Sequence, residues 1–494
     1  MRYILWLSFT VAIAAYLCQP IVDPDLFWHI VSGRWILANA ALPVSDHWNM
    51  FGYGQPWRAY SWLSEIPFAL LERIGGFTAL FLFKFVVIFA LTASLFYICG
   101  WFAGNFYVGA LFGLIGTAAC FNHMTLRPQL LVWILFAWLV LQSEIIAKRG
   151  ARPATLLPIA GTMCLWANLH ITTILGVALV FCWIASKGEM RIAFAAAFSA
   201  FVGTLLTPYL GGEWITFISK TSHPFQHASI AEFQPASILQ YSTAFPIIIL
   251  AMLFIFFHLR PRTIEPAKYL YLGAIMFAAF AIVKFMPFAC IFGVILLSAF
   301  WGREQGHTRT LGNLAEGIAR LQALVSAIPV QGLTFLLICW TIVSLYQKLQ
   351  APLNKEVVPA AAFDFFIEKK LPLPVLLPFG NGGYAMYRFS DERGELPSER
   401  HRVPIDGRTN VTPPEIDEKF QKAFFGKSGW REFFEAVNPE SVVWKNESPL
   451  VAILLNGTEW CRVFTSGSER EGFSIFLKRA AAMDHHTGNP SCLE

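Results

Sequence analysis

Long apolar runs, each broken by a short polar patch, recur along the first 350 residues. Runs of about 17–23 apolar residues are enough to cross the hydrocarbon core of a bilayer. They fall near 3–19, 76–98, 104–121, 126–146, 154–169, 170–186, 190–207, 239–258, 267–283, 284–301 and 328–348. The pattern predicts about eleven transmembrane helices, with tight turns dividing 154–186 and 267–301. It is interrupted twice, at 20–75 and 208–238, by connections long for a helix bundle; such loops are usually functional or carry short helices of their own. In the first, Asp25 is placed to cap a helix over 26–38. Trp28 and Trp35 share one face of that helix, as in a helix lying at a membrane interface. Residues 62–74 form a second amphipathic stretch ending at Gly75-Gly76. From about 352 charge rises and long apolar runs vanish. Strand-like pieces (Val375 to Phe379, Ser441 to Trp444, Leu450 to Leu455) there alternate with polar helical ones at 415–425 and 430–436. The expected organisation is a transmembrane bundle over 1–350 that includes the first outer loop 20–75. A small extracytoplasmic α/β domain over 351–480 and a flexible tail over 481–494 complete it.

Composition agrees. Hydrophobic residues make up 56% of the 494 and charged ones only 14%, against about 25% charged in soluble domains. Lys and Arg orient the bundle. Lys148, Arg149 and Arg152 share one short loop, Lys187 and Arg191 a second, Arg260, Arg262 and Lys268 a third, and Arg303, Arg309 and Arg320 a fourth. With the N-terminus inside, all four are cytoplasmic. The outer side then receives 20–75, 122–125, the turn at Leu169-His170, 208–238, the turn at Lys284 and everything after about 350. The net charge of +5 reflects those basic loops, and nucleic acid is not an expected partner. The N-terminal run reads as a signal anchor, with cleavage near Ala12-Ile13-Ala14 as the alternative; either puts Asp23 outside. Of nine cysteines, only Cys461 and Cys492 stand in polar sequence. They have no metal-type spacing and are candidates for a disulfide if their domain is extracytoplasmic.

The chemistry concentrates in Asp23-Pro24-Asp25-Leu26-Phe27-Trp28-His29, immediately after the first apolar run. Pro24 biases Asp23 toward an extended backbone, so two carboxylates two residues apart can point the same way. His29, four residues beyond Asp25, shares its helical face. Asp46 and His47 follow deeper in the loop. An Asx-type turn accounts for Asp46; with Asp23 and Asp25 these residues would also supply oxygen and nitrogen ligands to a divalent cation, at a spacing that specifies no metal. Arg58 and Glu65 flank Trp62 as a surface ion pair would. Further polar groups stand at outer ends of spans: His123 with Arg127, Asn168 with His170, His223 with His227, and Lys284. Ionisable groups in such places default to function, with interfacial snorkelling the alternative for Arg127 and Lys284. The cations share a membrane face with the acids, as a lipid-borne phosphate leaving group and an acidic base would require. No Gly-rich nucleotide loop, Ser-His-Asp order or CxxC pair supports soluble-cofactor chemistry.

The first loop, with Gly33-Arg34-Trp35-Ile36, Leu42-Pro43-Val44-Ser45-Asp46, Gly54-Gln55-Pro56-Trp57 and Trp62-Leu63-Ser64-Glu65, resembles that of bacterial GT-C-type membrane glycosyltransferases, and more narrowly a little-characterised group of them. Arg127-Pro128-Gln129, Trp166-Ala167-Asn168-Leu169-His170, Thr207-Pro208-Tyr209, Gly382-Gly383-Tyr384 and Asp406-Gly407-Arg408 extend the likeness. Departures stand at Trp48-Asn49-Met50, Ile171 and Leu210. The resemblance implies an α-helical polytopic fold in the bacterial inner membrane and a polyprenyl-phosphate-linked sugar as donor. The acceptor would be a periplasmic glycan, lipid or protein. By the same resemblance Asp23 or Asp25 is the general base, Asp23 being preferred because capping accounts for Asp25. Arg127, His170 and Lys284 would stabilise the departing phosphate, and His29, Asp46, Trp57, Arg58, Glu65 and Asn168 would bind substrate. A divalent cation could assist. Rival readings are a lipid-linked saccharide transporter or flippase, a polysaccharide polymerase or ligase, and a non-catalytic assembly partner that docks through Gly382–Arg408.

Overall fold

The computed structural model describes residues 2–221, 230–237, 241–259, 265–304, 330–408, 411–468 and 471–480. Its helices run α1 (Arg2–Leu17), α2 (Asp25–Asn39), α3 (Trp62–Ala103), α4 (Phe106–Ala119), α5 (Pro128–Arg149), α6 (Pro153–Leu169), α7 (Thr173–Ala185), α8 (Met190–Thr204) and α9 (Gly212–Thr221). They continue as α10 (Tyr241–Leu259), α11 (Pro266–Ala281), α12 (Met286–Glu304) and α13 (Val330–Leu349). Every predicted apolar run falls on one of these helices. Helix α3 is two arms: Gly75 and Gly76 leave helical geometry, and Gly76 takes φ 59°, a conformation glycine adopts without steric cost.

The chain divides into two compact units. The first holds Met1–Pro20, Thr78–Phe217 and Ile230–Pro352. Four described helices are long and apolar enough to cross a membrane, and six shorter apolar ones accompany them. The span Val283–Gly302 is 89% buried within the protein, whereas Gln331–Leu349 is only 6% buried. That contrast is expected of a helix inside a bundle and one facing lipid. The chain is a multi-pass membrane protein. Close crossings use small residues: a Cβ on Gly109 of α4 would stand 2.3 Å from the Gly100 backbone of α3, the approach that glycine permits between membrane helices.

The second unit gathers Ile21–Phe77 with the chain from Leu353 onward. Its sheet has the order β1-β2-β4-β3, from β1 (Val375–Leu376), β2 (Ser441–Lys445), β3 (Trp460–Thr465) and β4 (Phe473–Lys478). β1 and β2 are parallel, and the other pairs antiparallel. Helices α14 (Ala360–Glu368), α15 (Gly382–Phe389), α16 (Pro414–Phe424), α17 (Arg431–Val437) and α18 (Pro449–Asn456) complete it. Leu450–Leu455, expected as a strand, is helical. Pro449 suits a first helical position, and the Ser448 hydroxyl accepts from the Leu450 amide at 3.3 Å, so the start signals override the β-like composition. Residues 20–75 were expected with the bundle, yet they are woven into this unit. Met50 N–H donates to Val403 C=O at 2.8 Å, and Val403 N–H to Trp48 C=O at 3.0 Å. Phe27 of α2 meets Tyr384 of α15 edge-on at 4.7 Å. Seven cysteines are free thiols and Cys461 is disulfide-bonded; Cys492 lies outside the described residues.

Candidate active site

In the second unit, Asp23 is 1% exposed and its Oδ1 accepts the Asp25 N–H at 2.9 Å. Asp25 is the first residue of α2, and Pro24 at the cap position supplies no side-chain bond. The expected cap role of Asp25 therefore belongs to Asp23. This removes the reason for preferring Asp23 as base. Asp25 is half-buried, with its carboxylate against Gly407: a Cβ there would stand 2.1 Å from Asp25 Oδ1 and 3.3 Å from the Trp28 indole nitrogen. That indole N–H is buried and finds no partner among the described residues.

One turn along α2, His29 Nδ1 lies 3.0 Å from Glu65 Oε1, and the Ser32 hydroxyl donates to Oε2 at 2.6 Å. Glu65 is buried and Arg58 exposed, so these two do not make the surface pair expected of them. Helix packing explains how the pair forms: Gly33 lets α2 approach α3 so closely that a Cβ would stand 2.1 Å from the Glu65 carbonyl oxygen.

Asp46 is also buried. Its Oδ1 accepts from the amides of Trp48 at 3.0 Å and Asn49 at 2.7 Å, the Asx-type arrangement expected. Its Oδ2 pairs with Arg408, which also makes two bonds of 2.9 Å to Asp406. The guanidinium lies 4.9 Å from the Trp57 ring centre and 5.2 Å from that of Trp48. A buried arginine is tolerable only with its charge matched and its donors used, and two carboxylates and two rings do this here. Burial opposes the ionised form of Asp406, but the charge and hydrogen bonds of Arg408 outweigh it and hold the acid below the usual carboxylate range. Among the described residues no three His, Cys, Asp or Glu side chains gather as a metal site would require. With Asp46 committed to Arg408, the suggested divalent cation does not fit this set.

The cations lie in the first unit. Arg127 precedes Pro128 and is extended at the start of α5, as a residue before proline prefers. Lys284 occupies the turn Val283–Phe285 between α11 and α12. They meet at Glu232: Arg127 forms an ion pair with its Oε1, and Lys284 Nζ stands 3.4 Å from its Oε2. The backbone fastens this carboxylate in place. Ala236 N–H donates to Phe280 C=O at 2.8 Å, and Val283 N–H donates to Gln234 C=O at 3.2 Å. Burial would raise the Glu232 pKa, but Arg127 and then Lys284 overcome it and bring the carboxyl to about 2. His123 belongs to the same electrostatic cluster. Burial lowers its pKa, partly offset by Glu232, and its Nε2 is buried without a partner among the described residues.

His170 follows α6, with Nδ1 2.9 Å from the Thr172 hydroxyl. Asn168 donates to the carbonyls of Cys164 at 2.8 Å and Leu206 at 3.0 Å, tying α6 to the chain just past α8. His223 and His227 lie outside the described residues.

No family model and no curated protein matches the sequence. Among solved structures, the chain is similar to the oligosaccharyltransferase of Archaeoglobus fulgidus tethered to an acceptor peptide containing the NVT sequon. The TM-score is 0.51 and the identity 11%, covering 90% of this chain and 69% of that one. The apo form of that protein gives 0.50 and 10%, over 90% and 70%. The fold is that of the GT-C glycosyltransferases. ArnT from Cupriavidus metallidurans, bound to undecaprenyl phosphate, matches at 0.45 with 13% identity over 96% of this chain and 97% of that one.

Sequence reasoning missed two members of this chain's polar clusters. Glu232 is one of only two acids between 208 and 238, so counting cations at span ends without their counter-charges passed it over. Arg408 entered only through the likeness of Asp406-Gly407-Arg408, because nothing local reports a partner such as Asp46, 362 positions away.

Proposed function

We propose that this chain is a membrane glycosyltransferase that moves a sugar from a polyprenyl-phosphate donor to a periplasmic glycan, lipid or protein acceptor. The bilayer is the bacterial inner membrane, with the N-terminus inside and the second unit periplasmic. The fold supports the reaction class, and the acceptor peptide tethered to the oligosaccharyltransferase of Archaeoglobus fulgidus is consistent with transfer to a separate acceptor. The observation that carries the chemical reading is the pair of first-loop acids at the start of α2: buried Asp23 accepts the Asp25 amide, and Asp25 is half-buried with its carboxylate against Gly407.

In this reading Asp25 takes the proton of the acceptor nucleophile as that nucleophile attacks the anomeric carbon. The bond from that carbon to the phosphate oxygen breaks, and its electron pair leaves with the phosphate. Arg127, His170 and Lys284, all in the first unit, are the proposed groups for the donor phosphate, whose charge preorganised donors stabilise best. Asp23 positions Asp25, and His29, Glu65, Asp46 and Trp57 hold the frame around the loop. Arg58 and Asn168 are proposed substrate contacts.

The test supplies purified chain with labelled polyprenyl-phosphate sugars and membrane acceptors. Asp25→Asn should lose about 10²–10⁴-fold in kcat, the usual worth of a general base, with donor binding retained. Equal transfer by Asp25→Asn and wild type would overturn the base assignment. Failure of the wild type to bind any polyprenyl-phosphate sugar would overturn the donor.

A further inference from the structure

We propose that Glu232 is a built-in competitor for the donor phosphate. Its carboxylate lies between Arg127 and Lys284 and must give up those cations when a phosphate takes them. The inference rests on the reading that Arg127 and Lys284 receive the phosphate. Three observations carry it. One carboxylate pairs with both cations, Oε1 with Arg127 and Oε2 with Lys284. The short segment bearing it is pinned by backbone bonds to Phe280 and Val283, so the pairing is set by the fold. The side chain remains about a third exposed, and so a polar ligand can approach it.

The chemistry follows from charge. Arg127 and Lys284 with Glu232 sum to a single positive charge; the donor, a phosphodiester, brings one negative charge, and the monoester left after transfer up to two. Carboxylate and phosphate offer the same oxygen acceptors to the same donors, and arginine matches both geometries. Held together at close range they would repel. Entry of the phosphate therefore releases Glu232, and departure of the product restores the pair. Such a residue weakens binding of the spent carrier and keeps two partly buried cations matched between turnovers.

The experiment measures binding of a polyprenyl monophosphate to the full chain in detergent. The parent polyprenol and inorganic phosphate serve as comparison ligands. Glu232→Gln keeps the shape and removes the charge; it should tighten the lipid phosphate about tenfold and leave the polyprenol unchanged. Inorganic phosphate should tighten in parallel, since the gain belongs to the phosphate. Arg127→Gln and Lys284→Gln should weaken binding by a similar factor. Glu232→Asp, which draws the carboxylate back by one methylene, should fall between wild type and Glu232→Gln and serves if the latter does not fold. Unchanged or weaker binding in the Glu232 variants, with wild-type binding intact and sensitive to Arg127→Gln, would overturn the competitor role alone. Wild-type binding insensitive to both Arg127→Gln and Lys284→Gln would overturn the phosphate-site reading beneath it.

Discussion

Asp417 shows how much a single buried side chain can reveal about its surroundings. It sits on α16, 2% exposed, and its Oδ2 has no hydrogen-bond partner among the described residues. Burial, and then the charge of Asp406, push its pKa up to about 8. The folded chain thus holds a proton there that the unfolded chain releases near pH 4. Between those values the unfolded state binds fewer protons, so this residue's contribution to stability falls as pH rises from about 4 to about 8. Asp417→Asn imitates the protonated acid. The variant should melt higher than wild type at pH 8, and the gap should close toward pH 4; a gap independent of pH in thermal unfolding would contradict this. Nothing in the sequence singled out Asp417, because its exceptional property is the missing partner, and partners come from the fold. Asp46 is the opposite case. Its Asx-type turn was readable from three neighbouring residues, but its pairing with Arg408 was not.

Elements were most legible where one local property decides them. Apolar length alone located the membrane-region helices, because a bilayer requires it. Proline marked the starts of α5, α6 and α11. Legibility failed where two local signals competed. Leu450–Leu455 has the composition of a strand, and the Ser448-Pro449 start turned it into α18. Strands β3 (Trp460–Thr465) and β4 (Phe473–Lys478) went unrecognised because pairing makes them strands, β3 with β4 and β4 with β2, and local sequence does not report pairing. How closely helices approach was also hidden. Gly109 of α4 meets the backbone of Gly100 in α3, and no side chain fits that gap. Gly109→Leu should force the helices apart and lower the melting temperature by several degrees, in line with the 1–3 kcal/mol typical of overpacking. Gly161, with open space around its α-carbon, should accept leucine with little change, and thermal unfolding of both variants side by side checks the contrast.

At the scale of the molecule, the pattern of apolar runs separated a bundle from a polar C-terminal part. It could not show that Ile21–Phe77 is compact with the chain from Leu353. Hydrophobic periodicity reports a segment's immediate needs, and the bonds from Trp48 and Met50 to Val403 leave no periodic trace. The division has a direct consequence for truncation. A chain ending at 350 keeps every predicted span but lacks Arg408, Asp406 and Val403, and so strands a buried Asp46 without its counter-charge. Limited proteolysis should cut such a chain within 21–77 at protease levels that leave the full chain intact. Equal resistance of the two would show that the loop holds its structure without the C-terminal part.

That shared unit also imposes a schedule on synthesis. Phe77 and Leu353 are separated by nearly the whole first unit, and ribosomes extend chains at about 5–20 residues per second, so the loop waits roughly 15–55 s for the segment it packs against. During that interval Asp46 is solvated and the aromatic faces of Trp48 and Trp57 are uncovered. The first-loop acids can therefore reach their final positions only after the segment from Leu353 to Arg408 has been made.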